Sequence, residues 1–125
     1  LASEIGVFVR SVNELDRAIA VMDRIDEPFQ IIDDSSDPTP GNIQITTMHL
    51  AKGLEFKAVV VMACDDEIIP SLERVIAVTD DSDLDDVYNT ERHLLYVACT
   101  RARDNLLITC GGVASEFLDD LMVDM

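Results

Sequence analysis

Apolar residues along this chain fall into two rhythms that alternate. Ile5-Gly6-Val7-Phe8-Val9 is a short run of strand formers, of the kind that fills a strand buried on both faces of a parallel sheet. Ser11-Val12-Asn13-Glu14 then has the form of a capping box at a helix start. Leu15, Ala18, Ile19, Met22 and Ile25 follow at three- and four-residue spacing, which predicts a helix with one apolar face. Pro28 ends it and Phe29–Ile32 reads as the next strand, a βαβ-like opening. Asp33–Asn42 is built of loop-favouring residues and reads as a junction. Beyond it, Ile43–Met48 alternates as a strand does, His49–Leu54 forms a tight turn or one helical turn, and Ala58–Cys64 is a buried strand. Asp65–Pro70 reads as a turn, Asp80–Asp86 as an acidic loop with five aspartates, and Val87–Arg103 as a helix. A strand at Leu106–Thr109 and a terminal helix at Ala114–Met122, after Gly111-Gly112, complete the expected elements. Strands alternating with helices predict an α/β domain with a mostly parallel sheet covered by helices.

Composition narrows the class. The chain has 125 residues, 48% of them hydrophobic, enough for one core and too apolar for a disordered tail. Its longest apolar run, Ala58–Cys64, is far short of the ~20 residues that cross a bilayer. No basic region followed by an apolar stretch opens the chain, so nothing points to secretion. Three cysteines, Cys64, Cys99 and Cys110, lack paired spacing and read as reduced, buried thiols, and no metal site is indicated. Nine Lys and Arg face 25 Asp and Glu, for a net charge of −16. That balance argues against tight nucleic-acid binding by this chain alone, because phosphate neutralisation supplies most of such affinity. Any tight site has to be completed by other domains.

Two segments concentrate polar chemistry at the ends of apolar ones. After the Ile43–Met48 strand come His49, Lys52, Gly53 and Glu55, where open α/β sheets bind ligands beyond the carboxyl ends of their strands. Thr47 offers a hydroxyl and His49 an imidazole donor to a nucleic-acid phosphate. Lys52 adds a cation, Gly53 permits positive φ, and Glu55 can accept hydrogen bonds from a ribose. The same residues also suit an ordinary strand-to-helix connection with Lys52 and Glu55 solvated. In the second segment Arg92, Arg101 and Arg103 stand close together in a lysine-poor chain. A guanidinium fork suits phosphate, although Arg101 and Arg103 at a helix carboxyl end would equally complement its dipole.

Together the segments Thr47-Met48-His49-Leu50-Ala51-Lys52-Gly53-Leu54-Glu55-Phe56 and Tyr96-Val97-Ala98-Cys99-Thr100-Arg101-Ala102 resemble, in order and spacing, motifs V and VI of the superfamily 1 DNA helicases of the UvrD, Rep and PcrA type. Val7-Phe8-Val9-Arg10-Ser11 resembles motif IV, with Val9 where the family has the aromatic residue that stacks on adenine. Arg92 matches the first of two family arginines, His93 replaces the second, and Glu67 replaces the glycine of an acidic, glycine, hydrophobic, proline turn. The resemblance implies a RecA-like (P-loop NTPase-like) three-layer domain, the second motor domain of a two-motor enzyme. It assigns residues 1–32 to the motif IV part, 33–42 to the junction where relatives insert an accessory domain, and 43–125 to motifs V and VI. It implies single-stranded DNA contacts by Thr47 and His49 and ATP contacts near Gly53 and Glu55. Arg101 becomes the finger on the γ-phosphate and Arg10 a second γ-phosphate arginine. No Gly-x-x-x-x-Gly-Lys-(Ser/Thr) phosphate loop occurs in these residues. ATP and Mg2+ are therefore expected mainly on the N-terminal motor domain, and this fragment alone is expected to be inactive. The implied setting is cytoplasmic and nucleoid-associated, with no membrane partner, and the start at Leu1 agrees with excision from a longer chain. Two other readings stay open: a non-catalytic interaction domain derived from a helicase, and the motor part of an AddA- or RecB-type helicase–nuclease.

Overall fold

Five strands, every neighbouring pair parallel, form a single sheet in the order β2-β3-β1-β4-β5. They are β1 (Ile5–Val9), β2 (Phe29–Ile31), β3 (Ile43–Thr47), β4 (Phe56–Val61) and β5 (Ala102–Ile108). Among the described residues three α-helices accompany them: α1 (Leu15–Ile25), α2 (Leu72–Ile76) and α3 (Asp81–Cys99). The computed structural model describes residues 4–33, 41–65, 67–111 and 113–118. The segments before and after the Asp33–Asn42 junction share one sheet, because β1 lies between β3 and β4. Most of that junction, residues 34–40, lies outside the described residues.

Alternation along the strands divides the interior into two cores. Val7, Val9, Ile43 and Ile45 face α1, where Ala18 and Met22 meet them. Phe8, Val59 and Val61 face the other way, against Leu95, Ala98 and Cys99 of α3. The result is the expected three-layer arrangement, helix, sheet and helix. Gly6 sits inside β1 because a Cβ there would run into the Phe56 ring, which packs edge-on against Phe8 at 5.9 Å between centroids.

Several element boundaries differ from expectation. The Ser11 side chain accepts no backbone N–H as a capping box requires; its hydroxyl donates to Glu14 Oε2 at 2.5 Å, and a 3₁₀ turn at Val12–Glu14 precedes α1. Asp26, in left-handed geometry, closes α1 two residues before Pro28. The acidic run Asp80–Asp86 is not a loop. Asp80 is the N-cap of α3, accepting from the Asp83 N–H at 2.9 Å, and Asp81 and Asp83 occupy the first turn. Carboxylates there complement the helix dipole, so the charge that suggested a solvated loop favours the helix start instead. At its other end α3 stops at Cys99, short of Arg103, because the Arg101 carbonyl accepts the Phe56 N–H at 2.9 Å and the chain joins the sheet. β5 consequently begins at Ala102, earlier than Leu106. β4 likewise starts at Phe56 and ends at Val61 rather than spanning 58–64. α2 had no counterpart in the sequence reading, and residues 119–122 of the expected terminal helix lie outside the described residues. Phe117 of that segment is buried against Tyr88, and the Ser115 hydroxyl donates to the Ile69 carbonyl.

Among the described residues no helix is long and apolar enough to cross a membrane. Cys64 and Cys99 are buried free thiols as expected, but Cys110, just past the end of β5, is exposed. Burial pushes the Cys64 thiol up to about 12 and the Cys99 thiol to about 11, so both behave as apolar core residues.

Candidate functional site

Between β3 and β4 the chain has only residues 48–55 in which to return from the carboxyl edge of the sheet to the amino edge. It does so through a 3₁₀ turn at Met48–Leu50, with Met48 and Ala51 buried beneath it. Gly53 has φ +84, a left-handed conformation that a side chain would strain. The sequence reading put His49, Lys52, Gly53 and Glu55 together beyond the carboxyl ends of the strands. Only Thr47 and His49 are there. Gly53 and Glu55 sit at the amino edge, next to the start of β4, because the crossover is too short to do anything but run straight across the face.

That route carries it alongside α3, and the two elements enclose an open groove of about 630 Å³. His49, Lys52 and Gly53 line it from the crossover; His93, Leu94, Val97 and Arg101 line it from α3 and the turn that follows. Among the described residues no carboxylate is in the lining, in a chain of net charge −16. Arg101 is half-buried and held by neutral acceptors close in sequence, its Nε donating to the Val97 carbonyl at 3.1 Å and Nη2 to Thr100 Oγ1 at 3.3 Å. Glu55 is outside the groove, paired at 3.4 Å with Arg103 on the exposed surface.

Arg10 has a different setting. It follows β1 at the carboxyl edge and is buried. Its Nε donates to Glu91 Oε1 at 2.8 Å and its Nη2 to Glu91 Oε2 at 2.6 Å, a bidentate pair. The remaining branch, Nη1, lies 2.9 Å from His49 Nε2. Glu91 also accepts from Arg74 Nη1 at 2.8 Å and from the Ser71 N–H at 2.7 Å. Burial raises the Glu91 pKa, but the hydrogen bonds from Arg10 and Ser71 and the charges of Arg10 and Arg74 outweigh it, holding the carboxyl below its ordinary range.

Comparison with known proteins adds to this geometry. The profile of the UvrD-like helicase C-terminal domain matches residues 3–111. The chain belongs to that family. It is 39% identical over 71 residues to the ATP-dependent DNA helicase PcrA of Staphylococcus epidermidis, covering 57% of this chain and 9% of that protein. It is 32% identical over 107 residues to DNA helicase II of Rickettsia typhi, covering 81% of this chain and 16% of that one. The chain thus spans only a small part of the curated relatives it matches. In fold it resembles the crystal structure of the C-terminal domain of a possible DNA helicase from Lactobacillus plantarum, with a TM-score of 0.64 at 24% identity, covering 92% of this chain and 60% of that one.

Within this UvrD-like domain, the groove gathers His49, Lys52, Gly53 and Arg101. Thr47 ends β3 beside Val9, one step from the groove. Arg92 turns to the opposite side, its guanidinium 4.8 Å from the Phe117 ring centroid. Glu67, standing where the family has glycine, adopts φ +73, a left-handed conformation that glycine takes without strain. The residue that sequence reading missed is Glu91. A signal was present: Glu91, Leu95 and Ala98 share one stripe of α3 by spacing. A carboxylate on a buried stripe requires a buried cation.

Proposed function

We propose that this chain is the second motor domain of an ATP-driven DNA helicase or translocase. Its groove faces the partner motor domain of the same protein. Arg101 reaches from it to the γ-phosphate of ATP held on that domain, and Gly53 lets the backbone approach the nucleotide closely. A guanidinium there stabilises charge that spreads over the transferred oxygens, while the partner domain supplies the phosphate loop and the Mg2+ ligands. Among the described residues no three His, Cys, Asp or Glu side chains gather as metal ligands. Thr47 and His49, at the carboxyl edge, hold the backbone of single-stranded DNA. The chain is half of such a site and turns over no ATP by itself.

The observation that supports this most is the convergence of Lys52, Gly53 and Arg101, from two distant segments, on one groove that has no carboxylate among its described lining residues. Glu55 is the weakest member of the nucleotide set: it would have to leave Arg103 to meet a ribose. Both partners are largely exposed, so that exchange costs little. In the full-length protein His49→Ala is expected to raise, by about tenfold, the single-stranded DNA concentration that half-maximally stimulates ATP turnover. An unchanged half-maximal concentration would take His49 out of the DNA site.

A further inference from the structure

Glu91 is fully buried and has no place in the function proposed above. It receives four hydrogen bonds, two from Arg10 and one each from Arg74 and the Ser71 N–H. That fills the roughly four lone-pair sites a carboxylate offers. The bidentate pairing fixes the Arg10 fork and leaves Nη1 as its remaining branch toward His49 Nε2, 2.9 Å away. Arginine has donors only. Nε2 therefore accepts, and the ring proton resides on Nδ1. The imidazole is exposed on the protein surface yet anchored at one nitrogen from beneath.

We infer that Glu91 is a positioning residue for the nucleic-acid contact: through Arg10 it holds the His49 ring in one orientation and one tautomer, with Nδ1–H as the donor available to a phosphate oxygen. This rests on the reading of His49 as a DNA contact. The same carboxylate also pins Ser71 and Arg74 ahead of and within α2, a purely structural duty. The two roles separate by their dependence on His49. If Glu91 works through the imidazole, its removal has nothing left to disturb once the imidazole is gone.

The experiment is a double-mutant cycle in the full-length protein, with Glu91→Gln, His49→Ala and the two combined. It reads the half-maximal single-stranded DNA concentration for ATP turnover and, independently, the dissociation constant of a fluorescent oligothymidylate. Glu91→Gln keeps the shape but opposes amide donors to guanidinium donors. It is expected to raise both quantities about tenfold, and the double variant to go no higher than His49→Ala alone. Multiplying losses, or no change in Glu91→Gln, overturns the relay while leaving the DNA role of His49 standing. No effect of His49→Ala on either quantity overturns both. Should Glu91→Gln fail to fold, Arg10→Lys replaces it in the same cycle, since a lysine keeps the charge but cannot span Glu91 and His49 together.

Discussion

Arg10 and Arg101 both stand at strand ends, and both were expected to reach a phosphate, yet the fold treats them differently. Arg10 is inside, with its fork locked on a carboxylate that is itself fully buried. Arg101 is half-buried at the opposite edge of the sheet, and its contacts are a carbonyl and a hydroxyl, both neutral and both from the last turn of α3 or the residue after it. Turning the Arg10 fork onto a phosphate would give up its bidentate pair with Glu91, and breaking a buried pair costs about 3–5 kcal/mol. For Arg101 the exchange gives up only neutral acceptors, worth about 0.5–1.5 kcal/mol each. Arg101 is held lightly, by neutral groups alone, whereas the Arg10 fork is tied to a buried carboxylate. By this measure Arg101 suits the phosphate role proposed for it better than Arg10, which braces the interior.

The largest expected effect tests that division directly. Arg101→Ala in the full-length protein should cut ATP turnover by about 10³–10⁵ while nucleotide binding largely persists. Arg101→Lys should rescue poorly, because a point charge does not reproduce the planar fork. Turnover rates beside a melting curve decide it. An equal loss in Arg10→Ala at an unchanged melting temperature would erase the distinction between the two arginines.

Stability should show the opposite ranking. Glu91→Ala leaves Arg10 buried without its partner and should cost about 3–5 kcal/mol in denaturant unfolding, whereas Arg101→Ala should cost less than about 1 kcal/mol. The Glu91 contribution also has a pH signature. Its carboxyl is held below the ordinary range in the folded state, so the stabilisation is complete above that range, about pH 4. It fades as the pH falls through the lowered folded value. Glu91→Gln should lack this acid-sensitive component, and a variant with the same acid profile as the parent would remove Glu91 from the framework.

A smaller effect probes the loop that feeds the Glu91 site. Glu67 adopts φ +73 and its carbonyl accepts the Leu72 N–H at 2.8 Å, beside the Ser71 N–H that binds Glu91. Left-handed backbone costs a non-glycine residue about 1–2 kcal/mol. Glu67→Gly should therefore raise stability by about 1 kcal/mol, less what glycine adds to the freedom of the unfolded chain. A melting temperature that falls would show that the Glu67 side chain contributes more than its backbone strain.

Much of this was readable before any coordinates. The β1–α1–β2 opening follows from a β-branched run, a three- and four-residue apolar rhythm and a proline, signals local enough to survive tertiary context. The groove residues His49, Lys52, Gly53 and Arg101 were legible because each lies in a long motif. What failed was non-local. Asp80 caps α3 and Asp81 and Asp83 fill its first turn because a helix with a buried stripe follows them, and α3 ends early because β4 offers the Arg101 carbonyl a partner. Glu91 was passed over because the residues that neutralise it, Arg10 and Arg74, are contributed by separate elements. Only the fold brings them within reach.

The pinning of α3 at Glu91 has a mechanical consequence. From that pivot to Cys99 the helix extends about 12 Å at 1.5 Å per residue, and Arg101 lies just beyond. A tilt of about 5° around the pivot swings the far end by about 1 Å, a displacement that in an active site can change a rate ~10²-fold. The far end is tied down as well, because the Arg101 carbonyl accepts the Phe56 N–H of β4, so the helix is a strut braced at both ends that resists such a tilt.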